Sequence, residues 1–497
     1  MPSLHRDTPP PCPAPFNMAE HVMQAGRATP DRTALEIVET PGTVAERWTF
    51  GELDTAIGRA AGALGAAGVA RGDRVALRLG NSVDFPLAFF GAQRLGAVPV
   101  ALSAQLTAAE LAPMLADLQP SHVVRDPDLP LPPLDIPILD PAALRTGDDI
   151  PAVETRPDDP AYIVFTSGSS GRPRAVVHAH RAAHARRMMW HDWYGLTPSD
   201  RMLHAGAFNW TFTLGTGLTD PWAAGAQAII YTGPVEADTH VRLIAEHAPT
   251  IFAAVPGLYR RMLRQPNLAA ATRSLRHGLS AGEALAPSLR AAWRQATGTD
   301  LHEALGMSEV STYISSSPDR PAPEGATGCP QTGRQVAVLG EDDQPLPRGE
   351  AGELAVHRSD PGLMLGYLGG DPLPEWFRTG DRVEMGADGA IRYLGRLDDL
   401  MTVGGYRISP LEVEQALTAC DGVAEAGVCA IRLSDDLSIL AAFLIGTPRD
   451  VSEDLAARLA SYKRPRHIQW VADLPRGATG KLNRRALPAL YDPKGAP

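Results

Sequence analysis

Helical and strand-like patterns of hydrophobic residues alternate along the chain between positions 49 and 305. Residues 52–69 are rich in alanine and favour a helix, and residues 74–79 alternate between polar and apolar side chains as a strand does. Val83, Leu87 and Phe90 follow at i, i+4 and i+7, on one face of a second helix. The same rhythm recurs at residues 97–101, 226–231, 241–247, 250–254, 256–264 and 286–297. Strands that alternate with helices predict parallel sheets covered by helices on both faces.

The pattern changes after Arg334 to short strands separated by turns, such as those at 341–343 and 387–389, which predict hairpins that close a large domain. Residues 400–497 form a compact unit with helices expected at 411–419 and 452–460 and strands at 423–432 and 439–444. We place the boundary in the segment 395–399. The prediction is an α/β fold with a large domain of layered sheets at 1–397 and a small α+β domain at 398–497.

Composition narrows the functional class. The 497 residues carry 46 Lys and Arg against 57 Asp and Glu, a net charge of −11. This argues against a nucleic-acid partner, which needs a basic face. The 4 cysteines lack CxxC spacing and fit a reducing cytoplasm. No apolar run is long enough to span a bilayer. The Pro-rich residues 1–15 do not resemble a secretory signal and are expected to form a disordered leader.

A loop rich in glycine and hydroxyl groups follows the predicted strand at 161–165. Its residues are Thr166, Ser167, Gly168, Ser169, Ser170 and Gly171, with Arg172 and Arg174 just beyond. Glycine lets backbone N–H groups approach a ligand, hydroxyls donate hydrogen bonds and guanidinium groups neutralise charge, so the loop suits a polyphosphate. Its spacing differs from that of a Walker P-loop. A solvated hairpin turn is the alternative that these residues leave open.

Further motifs follow in a fixed order. They are Leu279-Ser280-Ala281-Gly282-Glu283, Leu305-Gly306-Met307-Ser308-Glu309, Phe377-Arg378-Thr379-Gly380-Asp381, Gly395-Arg396-Leu397-Asp398-Asp399, Gly404-Gly405-Tyr406-Arg407 and Thr479-Gly480-Lys481. Each motif is weak by itself. As an ordered set, they make the chain resemble the adenylate-forming superfamily of acyl-CoA synthetases, carrier-loading adenylation domains and luciferases.

The resemblance implies an ATP site in the large domain. The glycine-rich loop would bind the β- and γ-phosphates, with Thr166 as a catalytic residue. The residues expected to hold adenine are Gly282, Glu283, Glu303, Ala304 and Leu305. Asp381 would accept hydrogen bonds from the ribose hydroxyls, and Arg396 would add a donor. Ser308 and Glu309 match the family pair whose carboxylate helps to place Mg²⁺.

The resemblance also implies that the small domain is mobile and takes part in catalysis. Lys481 would bridge the reacting carboxylate and the α-phosphate of ATP. The small domain would then rotate and bring in a loop whose paired glycines suit a pantetheine tunnel, because the missing Cβ atoms leave room for a thin ligand. The expected hinge and tunnel residues are Asp398, Gly404, Gly405, Tyr406 and Arg407. The implied cofactors and co-substrates are ATP, Mg²⁺ and coenzyme A.

The family pattern is altered at three positions. Arg174 stands where the loop usually has a lysine, and the fork of a guanidinium differs in geometry from an ammonium group. Leu305 replaces an aromatic residue that stacks on adenine, and Ser308 replaces a threonine. None of these changes removes a charged residue that the chemistry requires.

An aromatic cluster indicates the kind of acid. Trp210 precedes the run Pro-Trp-Ala-Ala-Gly-Ala at 221–226, a spacing similar to that of medium-chain acyl-CoA synthetases. A tryptophan wall would shorten the pocket and favour small, medium-chain or aromatic acids. The candidate acyl-pocket residues are Phe208, Asn209, Trp210, Ala281 and Gly306. Ordinary core packing is the alternative for such a cluster.

The sequence therefore predicts an AMP-forming acid–CoA ligase. A stand-alone adenylation enzyme that loads a carrier protein is the alternative. An inactive scaffold is disfavoured because Lys481, Asp381 and Glu309 are all retained. The expected partners are a small-molecule carboxylate, ATP and CoA, with no nucleic acid and no membrane span. The oligomeric state is left open, with a homodimer as one option.

Overall fold

The computed structural model describes residues 1–166, 173–397, 399, 401–403, 406–433, 438–459, 461–477 and 481–492. Its large domain is built on layered sheets, which we name A, B and C. The α-helices that join and cover the sheets are Met18–Gln24, Phe50–Ala66, Asp84–Arg94, Ala108–Leu118, Arg181–Ala185, Arg187–Met189, Thr211–Leu214, Asp220–Ala223, Thr239–His247, Pro256–Met262, Leu268–Ala271 and Pro287–Thr297. The alternation of helices and strands that the sequence predicts is therefore present.

Sheet A carries the glycine-rich loop. Its strands, in spatial order, are Gly366–Tyr367, Arg174–Ala179, Pro160–Thr166, Val98–Ala101, Arg74–Arg78, His122–Arg125 and Ile138–Leu139. Helices cover both faces: Val75 and Leu77 belong to the main core with Phe50–Ala66, whereas Ala76 packs towards Ala108–Leu118. This alternation follows from the two-residue period of a strand. Thr49 and Glu52 form a reciprocal capping box at the start of helix Phe50–Ala66.

Sheet B supplies the edge on which the candidate site lies. Its strands, in spatial order, are Cys329–Pro330, Ser311–Ser315, Asp300–Met307, His277–Ala281, Ile251–Ala254, Arg201–His204, Gln227–Tyr231, Thr33–Thr40 and Thr43–Thr49. The strands ending at His204, Ala254, Ala281 and Met307 are parallel. Their carboxyl ends therefore meet at one edge, which is where ligands bind in open α/β sheets.

Sheet C is the antiparallel sheet that closes the large domain, as the turn-rich pattern predicts. Its strands are Leu4–Arg6, Gln335–Leu339, Ala351–His357, Trp376–Met385 and Ile391–Arg396. The expectation of a disordered leader is wrong for its first residues. Leu4–Arg6 pairs antiparallel with Gln335–Leu339, and the Ser3 amide donates to the Leu346 carbonyl at 2.7 Å. The leader was expected to be disordered because it is rich in proline, but apart from Pro2 its prolines all follow the strand, at positions 9–15.

The small domain has its own core. Its strands are Met401–Val403, Tyr406–Ile408, Val423–Arg432, Ser438–Gly446 and His467–Trp470, with helices Pro410–Thr418 and Ser452–Arg458. Val413, Leu417, Val428 and Leu440 are fully or almost fully buried within it. Asp398 lies outside the described residues, and the division between 397 and 398 stays a prediction. No helix in the part of the chain that the structure describes combines the length and apolar character needed to cross a bilayer.

Candidate active site

The candidate adenine and acyl residues meet at the carboxyl edge of sheet B. Ala281 pairs in register with Ala304 on the neighbouring strand, so Gly282 and Leu305 follow side by side. Gly282 has a φ of +93°, in the left-handed region that favours glycine. A Cβ atom on Gly282 would lie 3.1 Å from the indole carbon Cη2 of Trp210. The backbone therefore lies tightly against the indole, and a side chain at position 282 would be strained.

The base of the glycine-rich loop is an antiparallel hairpin. Thr166 pairs with Arg174 across strands Pro160–Thr166 and Arg174–Ala179. The two strands that a hairpin turn requires are therefore present. Both ends of the loop lie at the same edge of sheet A. The loop residues Ser167, Gly168, Ser169, Ser170 and Gly171 lie outside the described residues. Their role as phosphate ligands stays a prediction.

Glu309 is a buried carboxylate held by neighbours from sheet A. Its Oε1 atom accepts a hydrogen bond of 2.7 Å from the Tyr367 hydroxyl, and a guanidinium nitrogen of Arg174 lies 3.9 Å from the same atom. The Arg174 guanidinium also stacks over the Tyr367 ring, 4.0 Å from its centroid. Burial raises the pKa of Tyr367, and so does the nearby Glu309 carboxylate, so the phenol remains a donor at neutral pH. Tyr367 therefore links the candidate metal ligand with the cation of the loop.

The carboxylate of Glu309 fits the Mg²⁺ role that the sequence predicts. Proteins usually hold Mg²⁺ through one or two carboxylates together with substrate phosphates. Among the described residues, no group of three or more His, Cys, Asp or Glu side chains could hold a metal. Glu309 would therefore be a single protein ligand, and the Mg²⁺ role stays a prediction. The preceding residue, Ser308, is anchored through its carbonyl oxygen, which lies 2.8 Å from His178 Nε2.

If Glu309 holds Mg²⁺ as the sequence predicts, Tyr367→Phe should weaken binding of the Mg–ATP complex by about tenfold, because hydrogen bonds to charged groups contribute about 1.5–3 kcal/mol. The phenyl ring would still stack on Arg174, so the change isolates the hydroxyl. Calorimetric titration with ATP at several Mg²⁺ concentrations measures the effect. Tyr231→Phe, which removes a hydroxyl bonded to the Pro234 carbonyl, is the control. Unchanged Mg²⁺ dependence in Tyr367→Phe would exclude this role.

Asp381 and Arg396 face each other across neighbouring strands of sheet C. Asp381 is only 4% exposed, and its Oδ1 lies 3.3 Å from Arg396 Nη1 and 3.4 Å from the Tyr393 hydroxyl. Burial raises the pKa of Asp381, although Arg396 and the hydrogen bonds lower it in part. The pair forms a buried acceptor with an adjacent donor, an arrangement that suits a vicinal diol such as a ribose.

Lys481 extends from the small domain to the edge of sheet B. A Cβ atom on Gly282 would lie 3.8 Å from Lys481 Cε. The carboxylates of Glu283 and Asp381 both act electrostatically on the ammonium group. Burial lowers the pKa of Lys481, and these two carboxylates oppose the shift, while part of the side chain stays exposed. The structure therefore brings together Lys481, Gly282 and Asp381, which lie far apart in the sequence.

Glu283 and Glu303 differ in their surroundings although both are adenine candidates. Burial raises the pKa of Glu283, and Lys481 is the strongest opposing charge. Burial also raises the pKa of Glu303, to about 7. The Glu303 carboxylate accepts from the Leu285 amide at 2.8 Å and lies 3.2 Å from Arg290. Its side chain is thus buried against the segment 285–290, and its adenine role stays a prediction.

The acyl candidates are divided between the cleft and the core. Trp210 packs edge-on against Phe212 with 5.2 Å between centroids, and Ala281 is buried in the same cluster. Gly306 lies at a bulge, where a Cβ atom would be 2.5 Å from the Ser311 carbonyl oxygen. Asn209 is half-buried beside Trp210.

Phe208 packs within the main core of the large domain. Its ring stacks on Phe85 with 4.9 Å between centroids, within the main core, and its side chain is 2% exposed. The Phe208 amide donates to Asn81 Oδ1 at 3.0 Å, which fixes the backbone before Trp210. Phe208 therefore has a packing role in the core, and its place in the acyl pocket stays a prediction.

The predicted hinge and tunnel residues are described only in part. Asp398, Gly404 and Gly405 lie outside the described residues. The backbones of Tyr406 and Arg407 pair with Val403 and Thr402 in an antiparallel ribbon at the start of the small domain. Their part in a CoA tunnel stays a prediction.

Sequence reasoning missed three residues of this region. Tyr367 stands at the end of an apolar stretch, and only its pairing with Val176 brings it to Glu309. Phe212 follows Trp210 by two positions, so the aromatic spacing was a usable signal. Arg260 lies on helix Pro256–Met262 and contacts Glu425 of the small domain. No local pattern relates those two positions, which are 165 residues apart.

A large domain of layered α/β sheets followed by a small, separately folded C-terminal domain is the architecture of adenylate-forming enzymes. Two family models match the chain accordingly. The model described as AMP-binding enzyme covers residues 22–368, and the model described as AMP-binding enzyme C-terminal domain covers residues 412–481. The chain belongs to the AMP-binding enzyme family.

Individual relatives are similar over nearly the whole chain. A 3-hydroxybenzoate–CoA/4-hydroxybenzoate–CoA ligase of Thauera aromatica is 30% identical, over 88% of this chain and 91% of the relative. A benzoate–CoA ligase of the same organism is 32% identical, over 88% and 90%. Among solved structures, the anthranilate CoA ligase AuaEII in complex with anthranoyl-AMP gives a TM-score of 0.87 at 27% identity, covering 96% of this chain and 98% of that chain.

Proposed function

We propose that this protein is an AMP-forming acid–CoA ligase that activates an aromatic carboxylate or one of similar size. The observation that carries the proposal is the position of Lys481, a cation from the small domain that lies beside Gly282 and within the electrostatic reach of Asp381. A carboxylate and a triphosphate placed in this cleft would share that cation. The relatives named as benzoate and hydroxybenzoate CoA ligases support CoA as the acceptor over a carrier protein.

In the first half-reaction, a carboxylate oxygen attacks the α-phosphorus of ATP and pyrophosphate leaves, which gives an acyl adenylate. The protein would act by positioning and by electrostatic stabilisation. Lys481 would hold the reacting carboxylate and the α-phosphate together. Asp381 and Arg396 would hold the ribose. Mg²⁺, when bound at Glu309, would neutralise charge on the phosphates.

In the second half-reaction, the CoA sulfur would attack the acyl carbonyl carbon and form the C–S bond of the thioester, its proton would pass to solvent, and AMP would leave with the electron pair of the broken anhydride bond. The leaving group explains why adenylation comes first, because a free carboxylate would have to expel oxide. The protein would position the adenylate and exclude water, which would otherwise hydrolyse it. Rotation of the small domain about Asp398, with entry of the Gly404-Gly405 loop, is the conformational step that we propose between the two half-reactions.

A panel of carboxylates tests this function directly. We expect AMP and pyrophosphate in stoichiometric amounts with benzoate-sized acids, and sustained turnover only when CoA is present. Release of ADP would contradict the proposed chemistry. Pyrophosphate exchange without saturable use of CoA would point instead to the carrier-loading alternative.

We expect Trp210→Ala to shift acid selectivity by about tenfold towards longer acyl chains. Each added methylene in an apolar pocket is worth about 1–3 kcal/mol, and the indole closes the space above Gly282. The ratio of kcat/KM for octanoate to that for benzoate measures the shift. Trp376→Ala, which removes a partly exposed indole from sheet C, is the control. An unchanged ratio would place the acyl chain elsewhere.

A further inference from the structure

A set of alternating charges crosses the boundary between the two domains beside Lys481. Arg260 belongs to helix Pro256–Met262 of the large domain, and Glu425 belongs to strand Val423–Arg432 of the small domain. An Nη1–Oε2 distance of 3.0 Å joins them. Arg476 pairs with the same carboxylate oxygen of Glu425 from within the small domain. Glu425 therefore accepts from both domains at once.

The segment that carries Lys481 is joined to this cluster. The arms 475–477 and 481–483 run antiparallel, because the Gly477 amide donates to the Lys481 carbonyl and the Asn483 amide donates to the Pro475 carbonyl, both at 2.8 Å. Arg476 is bridged to Leu482 across the two arms. Arg476 therefore connects Glu425 with both arms, one of which carries Lys481.

The same two arms also contact the large domain directly. The Leu482 amide hydrogen-bonds to the Glu283 carboxylate, and Arg476, Arg260 and Lys481 all act on that carboxylate as opposite charges. A Cβ atom on Gly257 would lie 3.8 Å from Arg476 Nη1, so this guanidinium reaches the first turn of the helix that bears Arg260. The small domain is thus attached on both sides of Lys481.

The burial of the pair makes it more than a surface contact. The side chains of Arg260 and Glu425 are 22% and 11% exposed. Exposed ion pairs contribute little, whereas removal of one partner from a desolvated pair leaves the other charge uncompensated. The pair can exist only while the two domains are docked as they are here. Its contribution therefore favours this relative orientation of the domains.

We propose that Arg260 and Glu425 are positioning residues that dock the Lys481 segment for adenylation and separate before thioester formation. The inference rests on the proposed function, because it needs Lys481 to serve the first half-reaction. It extends that function by naming a contact that would favour one domain orientation and would have to break for the other. Neither side chain needs to touch a substrate in this role.

A double-mutant cycle measured on each half-reaction separately tests the proposal. The variants are Arg260→Ala, Glu425→Gln and the double variant, and Arg261→Ala removes an exposed arginine from the same helix as a matched control. Pyrophosphate exchange reports adenylation. Thioester formation from synthetic acyl-AMP and CoA reports the second step without needing Lys481 in place.

We expect pyrophosphate exchange to fall about tenfold in Arg260→Ala and by 10- to 100-fold in Glu425→Gln, which also removes the ion pair between Glu425 and Arg476. The double variant should be no worse than Glu425→Gln, since the shared contact is already lost. Thioester formation should stay within about twofold of the wild type or rise. Arg260→Lys should recover part of the exchange activity because it restores the charge.

Three outcomes would overturn the inference while leaving the proposed function intact. They are multiplicative effects of the two substitutions on exchange, equal losses in both half-reactions, and an Arg260→Ala variant as active as the Arg261→Ala control. Failure of the wild-type protein to exchange pyrophosphate with any carboxylate would instead contradict the proposed function itself. The two kinds of failure are therefore distinguishable.

Discussion

Replacement of Lys481 by alanine is expected to reduce pyrophosphate exchange by about 10²–10³-fold and to leave thioester formation from synthetic acyl-AMP nearly unchanged. A preorganised group aimed at developing charge contributes roughly 2.7–4 kcal/mol to catalysis. The Lys481 ammonium is the small-domain cation that lies beside Gly282, and Glu283 and Asp381 are the opposite charges that act on it. Only the first half-reaction would need that cation.

The Lys481→Ala experiment has a lysine control within the same domain. Lys463→Ala removes an ammonium group that lies 2.5 Å from Glu412, within the small domain. It should retain pyrophosphate exchange. Equal losses of both half-reactions in Lys481→Ala would refute the division of labour, and wild-type exchange in that variant would remove Lys481 from the mechanism.

The pH dependence of adenylation provides a second measurement on the same residue. Burial lowers the pKa of Lys481 below its usual value, and only the protonated form carries the charge that adenylation would use. Exchange should therefore decline with rising pH before an ordinary lysine would lose its proton. Lys481→Arg should lack this alkaline decline, because a guanidinium stays protonated. A decline of the same midpoint in Lys481→Arg would assign it to another group.

Asp381→Asn should weaken ATP binding by about 10²-fold, the second-largest effect that we expect. Hydrogen bonds to a charged acceptor contribute about 1.5–3 kcal/mol, and the amide also removes the negative charge that faces Arg396. Calorimetry with ATP, AMP and adenine would show which part of the nucleotide accounts for the loss of affinity. ATP and AMP should be affected alike, and adenine, which lacks the ribose, should bind equally to both proteins.

The sign of the pH effect at Asp381 is opposite to that at Lys481. Burial raises the pKa of Asp381, so acidification protonates it sooner than an exposed aspartate and removes the anionic acceptor. ATP affinity of the wild type should fall as the pH is lowered, and Asp381→Asn should be insensitive over that range. Asp388→Asn, at a turn of the same sheet, is the control. Equal pH profiles for wild type and Asp381→Asn would contradict the ribose role.

Much of the fold could be predicted because the spacing of hydrophobic residues along the chain indicates most of the helices and strands. The predicted strand at 423–432 coincides with Val423–Arg432, and the predicted helix at 52–69 corresponds to Phe50–Ala66. The helix begins earlier because Thr49 and Glu52 cap it reciprocally. Leu4–Arg6 was missed because a three-residue strand has no periodicity of its own and is stabilised only by its partner strand.

The candidate site could be predicted only where its residues belong to motifs. Asp381, Gly282 and Lys481 were found in this way, and the structure brings them into one cleft. The other site residues could not be predicted reliably, because the sequence does not show in which direction each side chain points. Phe208 and Trp210 are two positions apart, yet one ring enters the core and the other reaches the cleft. The contact between Arg260 and Glu425 depends on domain docking, which no local pattern encodes.

The pairing of Leu4–Arg6 with Gln335–Leu339 has a practical consequence for handling the protein. Strand Gln335–Leu339 lies next to the outermost position of sheet C, and Asp381 is carried on another strand of that sheet. Trimming the first six residues would uncover unpaired backbone amides and carbonyls along Gln335–Leu339, a surface on which a second molecule can add a strand.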